Sequence, residues 1–192
     1  MSLVKVSGNA SGTGTLTIAA PNTNSDYTLT LPTNTGTLIS TASTGQVIPK
    51  AALPTGSVLQ VVNATTIAAI STSSTSFVTT GFSVSITPSS STSKVLLFVN
   101  GGGGFSGDIN RSIFSTIYRG ATNLGDATYG LERMYGNSSS VIAPHSMSVL
   151  DSPATTSSTT YTCYFKSSAA ANVDFSAADR GIISFTAMEI AA

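Results

Sequence analysis

The sequence predicts an all-β chain, and three observations carry that prediction. Ser and Thr make up about a third of the 192 residues, while 41% are hydrophobic. Thr, Val and Ile are stiff at Cβ and suit a pleated surface, and Ser competes with a helical backbone for hydrogen bonds. Apolar residues recur with period two, and clusters of turn-forming residues separate the resulting short runs.

The elements divide into three parts. Residues 1–47 read as an amino-terminal arm, in which Leu16 and Ile18 alternate with Thr15 and Thr17, and Tyr27, Leu29 and Leu31 alternate with Thr28 and Thr30. Pro21-Asn22-Thr23-Asn24 supplies the turn between these strands, and Thr37-Leu38-Ile39 offers a third. So few short strands bury too little surface to offset chain entropy, so the arm needs a partner. It is expected to serve attachment or trimerisation. Residues 48–56 read as a linker, because Pro49 and Pro54 forbid a continuing ladder.

From residue 57 to 192 the runs SVLQVV, TIAAIS, FSVSITP, KVLLFVN, SIFSTIY, VIAPHSMSVL, TTYTCYFKS and GIISFTAMEI are expected strands, spaced as a sandwich or barrel requires. Three of them are apolar on both faces. In the last, Ile183, Phe185 and Ala187 alternate with Ile182, Met188 and Ile190, and the same character appears at Val95–Val99 and Tyr161–Phe165. Such strands belong near the middle of a sheet, one face toward the core and the other toward a neighbouring subunit, which favours oligomerisation. Glu189 is then expected at an interface or an edge.

Composition narrows the function. Eight basic and eight acidic residues give a formal net charge of zero, so neither nucleic acid nor an anionic membrane is an expected partner. The apolar runs are short, and no membrane span or signal peptide is expected. The single cysteine, Cys163, excludes an internal disulfide, suits synthesis in a reducing cytoplasm, and reads as a small buried apolar residue.

The arm and junction, GTLTIAAPNTNSDYTLTLPTNTGTL and ALPTGSVLQVV, resemble a module of tail-fibre-like and other decoration-type virion proteins of tailed bacteriophages of aquatic hosts, cyanophages among them. The stretches TSFVTTGFSVSITPSSSTSKVLLFVNGGGG, TIYRGATNLG, MSVLDSPATTSSTTYTCYFKS and FTAMEIAA are similar to the globular domain that follows it in those proteins. The resemblance implies a non-enzymatic structural role, a sandwich of jelly-roll type over residues 57–192, and assembly in threes. The usual fibre carries an adaptor domain and a long shaft. This chain departs from that pattern in having neither, which favours a compact capsid decoration protein or a short terminal knob.

Chemistry has little purchase. Gly101–Gly104 is followed by no Gly-Lys-Ser/Thr, so a turn after the KVLLFVN strand, or close packing about a threefold axis, is expected rather than a phosphate cradle. His145 is the only histidine and no GxSxG elbow encloses a serine, so a triad drawing on Asp151 or Asp174 would have an arbitrary nucleophile, and His145 reads as a strand or loop residue with a hydrogen-bonded ring. Asp174 and Asp179 read as turn residues of NVDFSAADRG, with Asp179 beside Arg180 a local ion pair. Asp108-Ile109-Asn110 lacks the Gly and distal Glu of a calcium loop. Asn9, Asn63, Asn110 and Asn137 begin Asn-x-Ser/Thr triplets of the kind that a Ser- and Thr-rich chain produces by chance. Arg111, Tyr118, Arg119, Tyr129, Arg133 and Tyr135 are residue types favoured at binding surfaces. They suit a glycan, a neighbouring subunit or an ordinary sandwich edge.

No catalytic, cofactor-binding or metal residue is therefore assigned, and no cofactor is expected. The expected function is that of a homotrimeric capsid decoration or cement protein. It would contact the major capsid protein, sit on the virion surface and assemble in the bacterial cytoplasm. The alternative is a short tail-fibre or knob protein that contacts tail proteins and a host surface glycan.

Overall fold

The computed structural model describes residues 11–13, 53–106, 110–136 and 141–192. The chain divides into two units, Met1–Thr44 and Gly45–Ala192, and the fold below is that of the second. The expected arm strands, the linker as far as residue 52, and the Asp108-Ile109 pair lie outside the described residues.

Among the described residues eleven strands run in order: β1 (Val58–Thr66), β2 (Ile70–Thr72), β3 (Val78–Ile86), β4 (Lys94–Ser106), β5 (Arg111–Arg119), β6 (Thr122–Asn123), β7 (Glu132–Gly136), β8 (Val141–Asp151), β9 (Thr159–Ser167), β10 (Val173–Ser176) and β11 (Ile183–Ile190). All pairs are antiparallel, and they form two sheets. In one, β1, β11, β4 and β8 lie side by side, with β10 and β2 continuing beside the far end of β4. In the other, β3, β9, β5 and β7 lie side by side, with β6 a short annex of β5.

Setting aside the minor strands β2, β6 and β10 leaves eight. Counted along the chain, one sheet then runs first, eighth, third, sixth and the other second, seventh, fourth, fifth. That order is the double Greek-key winding of a jelly roll, so the expected fold class is the observed one.

The core forms because alternate residues of both sheets point inward. Val95, Leu97 and Val99 of β4, Phe185 and Ala187 of β11, Ile113 and Ile117 of β5, and Tyr161, Cys163 and Phe165 of β9 are all buried. Phe82 and Phe185 meet between the sheets with ring centres 5.9 Å apart. Each such large side chain contributes about 1.5–3 kcal/mol by leaving water. The three strands with two apolar faces lie inside their sheets as expected: β4 between β11 and β8, β11 between β1 and β4, and β9 between β3 and β5.

Two expected turns need correction. The glycine run is not a turn, because β4 continues through it to Ser106. The ladder with β8 slips between Gly101 and Gly104, a bulge in which Gly101 and Gly102 take positive φ of 91° and 58°. A Cβ on Gly101 would come within 2.5 Å of the Ile182 carbonyl oxygen, and one on Gly104 would collide with the Met134 side chain. The segment NVDFS is likewise not a turn. Val173 and Phe175 are fully buried, and this stretch forms β10 between β4 and β2; its alternate apolar residues outweigh the turn preference of its Asn and Asp.

Candidate interaction surfaces

The buried polar groups are committed to holding the sandwich together. Glu189 is fully buried on the central strand β11, not at an interface or an edge. Its Oε1 accepts hydrogen bonds from the Ser89 N–H and hydroxyl, both at 2.6 Å, and from the Ser93 hydroxyl at 2.8 Å, while Oε2 accepts one from Gln60 Nε2 at 2.6 Å. Burial alone pushes its pKa up. The donors from Ser89, Ser93 and Gln60 together outweigh burial and hold the pKa at about 2.

Asp151 sits at the end of β8, where Arg119 Nη1 lies 2.7 Å from both carboxylate oxygens and the Tyr161 hydroxyl donates to Oδ2 at 2.8 Å. Burial, and then this bond to a carboxylate, push the Tyr161 hydroxyl well above the usual tyrosine range. Burial likewise pushes the Cys163 thiol up, so Cys163 is the inert core residue the sequence suggested.

His145 is a strand residue of β8 with both ring nitrogens engaged. Nε2 lies 2.8 Å from the Phe175 carbonyl, which can only accept, so Nε2 carries its hydrogen. Nδ1 lies 2.6 Å from Glu132 Oε2, and Glu132 Oε1 accepts the Ser146 N–H at 2.7 Å. The ring stacks on Phe175, centres 4.2 Å apart. Neither Asp151 nor Asp174 partners His145. Ser115, opposite Glu132 in the β5–β7 ladder, is fully buried, and its hydroxyl has no partner. Asp174 binds Arg180 at 2.9 Å, a closer partner than Asp179 at 3.8 Å.

Among the described residues, two ordered rows of accessible side chains lie on the outward faces of the sandwich. On the first sheet, strand register brings Val61 beside Met188, Met188 beside Leu96, and Leu96 beside Leu150. This is one continuous apolar row across β1, β11, β4 and β8. Its ends, Val61 and Leu150, are 55% and 54% exposed. Next to it runs a mostly polar row of Asn63, Thr186, Phe98 and Ser148. The second faces of β4 and β11, read from sequence as subunit-facing, supply the middle of the apolar row.

On the second sheet the outward face is aromatic and cationic. Lys166 of β9 pairs with Phe114 of β5, and Phe114 with Arg133 of β7. The Lys166 ammonium lies 4.6 Å from the ring centre of Phe77, just before β3, and 5.5 Å from that of Phe114. The Arg133 guanidinium lies 5.7 Å from Phe114 and 5.1 Å from Tyr135. Ring, cation, ring and cation thus alternate across the sheet. Tyr118 and Tyr164 stack beside this row with centres 4.0 Å apart, and Tyr129 leans over Phe114 at 5.6 Å.

The register therefore splits the Tyr and Arg cluster read from the sequence. Tyr118, Tyr129, Arg133 and Tyr135 share the outward face. Arg119 falls on the opposite parity and binds Asp151, and Arg111 shares the parity of Arg119. Phe77, Phe114, Tyr164 and Lys166 belong to the face and were missed. The alternation of TTYTCYFKS put Tyr164 and Lys166 on one side of β9, but only the pairing of β9 with β5 shows which residues that side meets.

No family model matches the chain, and no curated protein matches it. Among solved structures, the VP2 subviral particle of infectious bursal disease virus aligns at 14% identity with a TM-score of 0.37, covering 69% of this chain and 37% of that one. The Gx and Gt strains of the same virus align at 13% and 16% identity with TM-scores of 0.35 and 0.33, each covering 78% of this chain and 42% of the other. The chain spans about two fifths of the length of these proteins. Likeness at this level identifies no relative, and the jelly-roll assignment stands on the strand pairing itself.

Proposed function

We propose that the chain is a non-enzymatic structural protein of the surface of a tailed-phage particle, a decoration protein that sits as a homotrimer on the major capsid protein. The observation that carries this reading is the apolar row Val61, Met188, Leu96 and Leu150 on the outward face of the first sheet. Partly exposed apolar side chains aligned across four strands, half-exposed at the two ends, gain free energy when another protein covers them, at about 25 cal/mol for each Å² removed from water. β1 adds to this face a strand that is paired on one side only among the described residues, a template for a neighbouring chain. Weak contacts of this kind become firm when three copies attach together.

The resemblance of the sequence phrases to tail-fibre-like and decoration-type virion proteins supports the particle, and the commitment of the buried acids, His145 and Arg119 to structural bonds supports a non-catalytic role. The deciding experiment is the copy number of the protein in purified particles. A decoration protein scales with the number of shell subunits, and particles lacking it lose resistance to heat and osmotic shock. A copy number of a few per particle, with unchanged shell resistance, would refute the capsid reading.

The aromatic and cationic face of the second sheet favours a second reading, a tail knob that recognises a host surface glycan. In that case the isolated protein blocks adsorption of phage to cells, which a decoration protein does not do.

A further inference from the structure

Two cations on the outward face of the β3–β9–β5–β7 sheet, Lys166 and Arg133, make no ion pair among the described residues. Arg119 and Arg180 are neutralised by Asp151 and Asp174. Arg180 lies over the Phe105 ring as well as against its carboxylate, whereas Lys166 and Arg133 are held over rings with no carboxylate, and their one polar bond among the described residues is that which Arg133 Nε donates to the Ser112 hydroxyl. A ring quadrupole positions a cation without cancelling its charge, so both remain able to meet an anion. Each lies within 6 Å of the Phe114 ring centre, which puts them no more than about 11 Å apart, close enough for one short oligosaccharide to reach both. The nearby carboxylate, Asp126, is held below its usual pKa first by the Tyr129 and Thr128 N–H groups, which donate to Oδ1 at 2.7 and 2.8 Å, and only last by Lys166, with which it forms no ion pair among the described residues.

Around the cations stand rings with open faces. Tyr129 and Tyr135 are 57% and 48% exposed, and the stacked Tyr118–Tyr164 pair is half-buried. Such rings offer flat apolar area with a polar tip at small entropic cost, which matches the apolar C–H faces and hydroxyl rims of pyranose rings. We propose that this face binds an acidic glycan, its sugar rings against Tyr118, Tyr164, Tyr129 and Tyr135 and its carboxylates against Lys166 and Arg133. A neutral glycan would leave two cations desolvated without a partner. A second copy docking by the same patch across a twofold axis would set like charges against each other.

The test titrates the full chain with oligogalacturonate and with its methyl ester of equal length, read by calorimetry and by tyrosine fluorescence. The acid form is expected to bind more weakly as salt rises, and the ester to bind at least about tenfold more weakly than the acid. The double variant Lys166→Gln/Arg133→Gln and the single variant Tyr164→Thr are each expected to lose about tenfold in affinity. Thermal unfolding of Lys166→Gln checks that the fold is intact. Three outcomes would overturn the proposal: equal affinity for acid and ester, wild-type affinity in the double variant, or no binding to galacturonate, alginate or hyaluronate oligomers. A fourth would as well, namely sedimentation showing that the double variant breaks up an oligomer, because the face would then be a subunit contact. The proposal stands on this face alone, so its failure leaves the particle-surface reading to be decided by copy number.

Discussion

Replacing Glu189 with Gln preserves the shape of the side chain and removes the charge that four hydrogen-bond donors converge upon. The folded-state pKa of about 2 lies below the ordinary glutamate value of 4.5. The group therefore contributes stability that is complete above pH 4.5 and is lost as pH falls through 4.5 toward 2. At 1.36 kcal/mol per unit that contribution is about 3 kcal/mol, of which roughly half remains at pH 3. Glu189→Gln also turns an amide N–H toward donors, so at pH 7 it should cost about 2–4 kcal/mol. Guanidinium unfolding followed by circular dichroism, at fixed protein concentration and at pH 7 and pH 3, measures both effects. The difference between wild type and variant isolates Glu189 from other titrating groups and should shrink by about 2 kcal/mol at the lower pH. A pH-independent difference, or none at pH 7, would show that the convergent donors do not stabilise the carboxylate.

Phe185→Ala should cost about 3–5 kcal/mol in the same unfolding assay, since its ring is fully buried between the sheets against Phe82. Gly101→Val should destabilise by more than about 2 kcal/mol, because positive φ and the Ile182 carbonyl both exclude a branched side chain; a smaller loss would mean that the bulge relaxes freely. Val61→Asp together with Leu150→Asp, at the two exposed ends of the row, should leave the unfolding free energy of the isolated chain within about 1 kcal/mol of wild type while abolishing self-association or particle binding, measured by sedimentation. Cys163 should react with a thiol reagent only at the rate of unfolding, and rapid labelling of the native protein would contradict its burial.

Much of the fold was legible because alternation survives in the strands that matter. Val95–Val99, TTYTCYFKS and ISFTAMEI carry apolar residues on both faces, and these strands occupy the middle of the two sheets. Short pieces were harder to see. β7 is the five residues ERMYG, too polar and brief to register as a strand, and β10 hides behind Asn172 and Asp174, whose turn preference is overridden by the burial of Val173 and Phe175. The glycine run misled for a related reason. Glycine freedom serves a bulge inside a continuing strand as well as it serves a turn, and only the partners β8 and β11 distinguish the two.

The candidate surfaces were legible as residue types and illegible as places. Tyr118 and Arg119 are adjacent in sequence and so must point to opposite sides of β5, one into the aromatic row and the other toward Asp151. The ring and cation alternation involves β9, β5, β7 and the residue preceding β3, which are distant along the chain, and no window of sequence contains it.

A two-layer sandwich turns its outward sides in opposite directions, and here those sides are chemically unlike. Whatever molecule covers the greasy side, the side bearing the rings and positive charges is left pointing away from it, toward the surrounding medium. On the two readings proposed above, the domain is a two-headed connector that grips a support with its back while its front stays available to a passing anion.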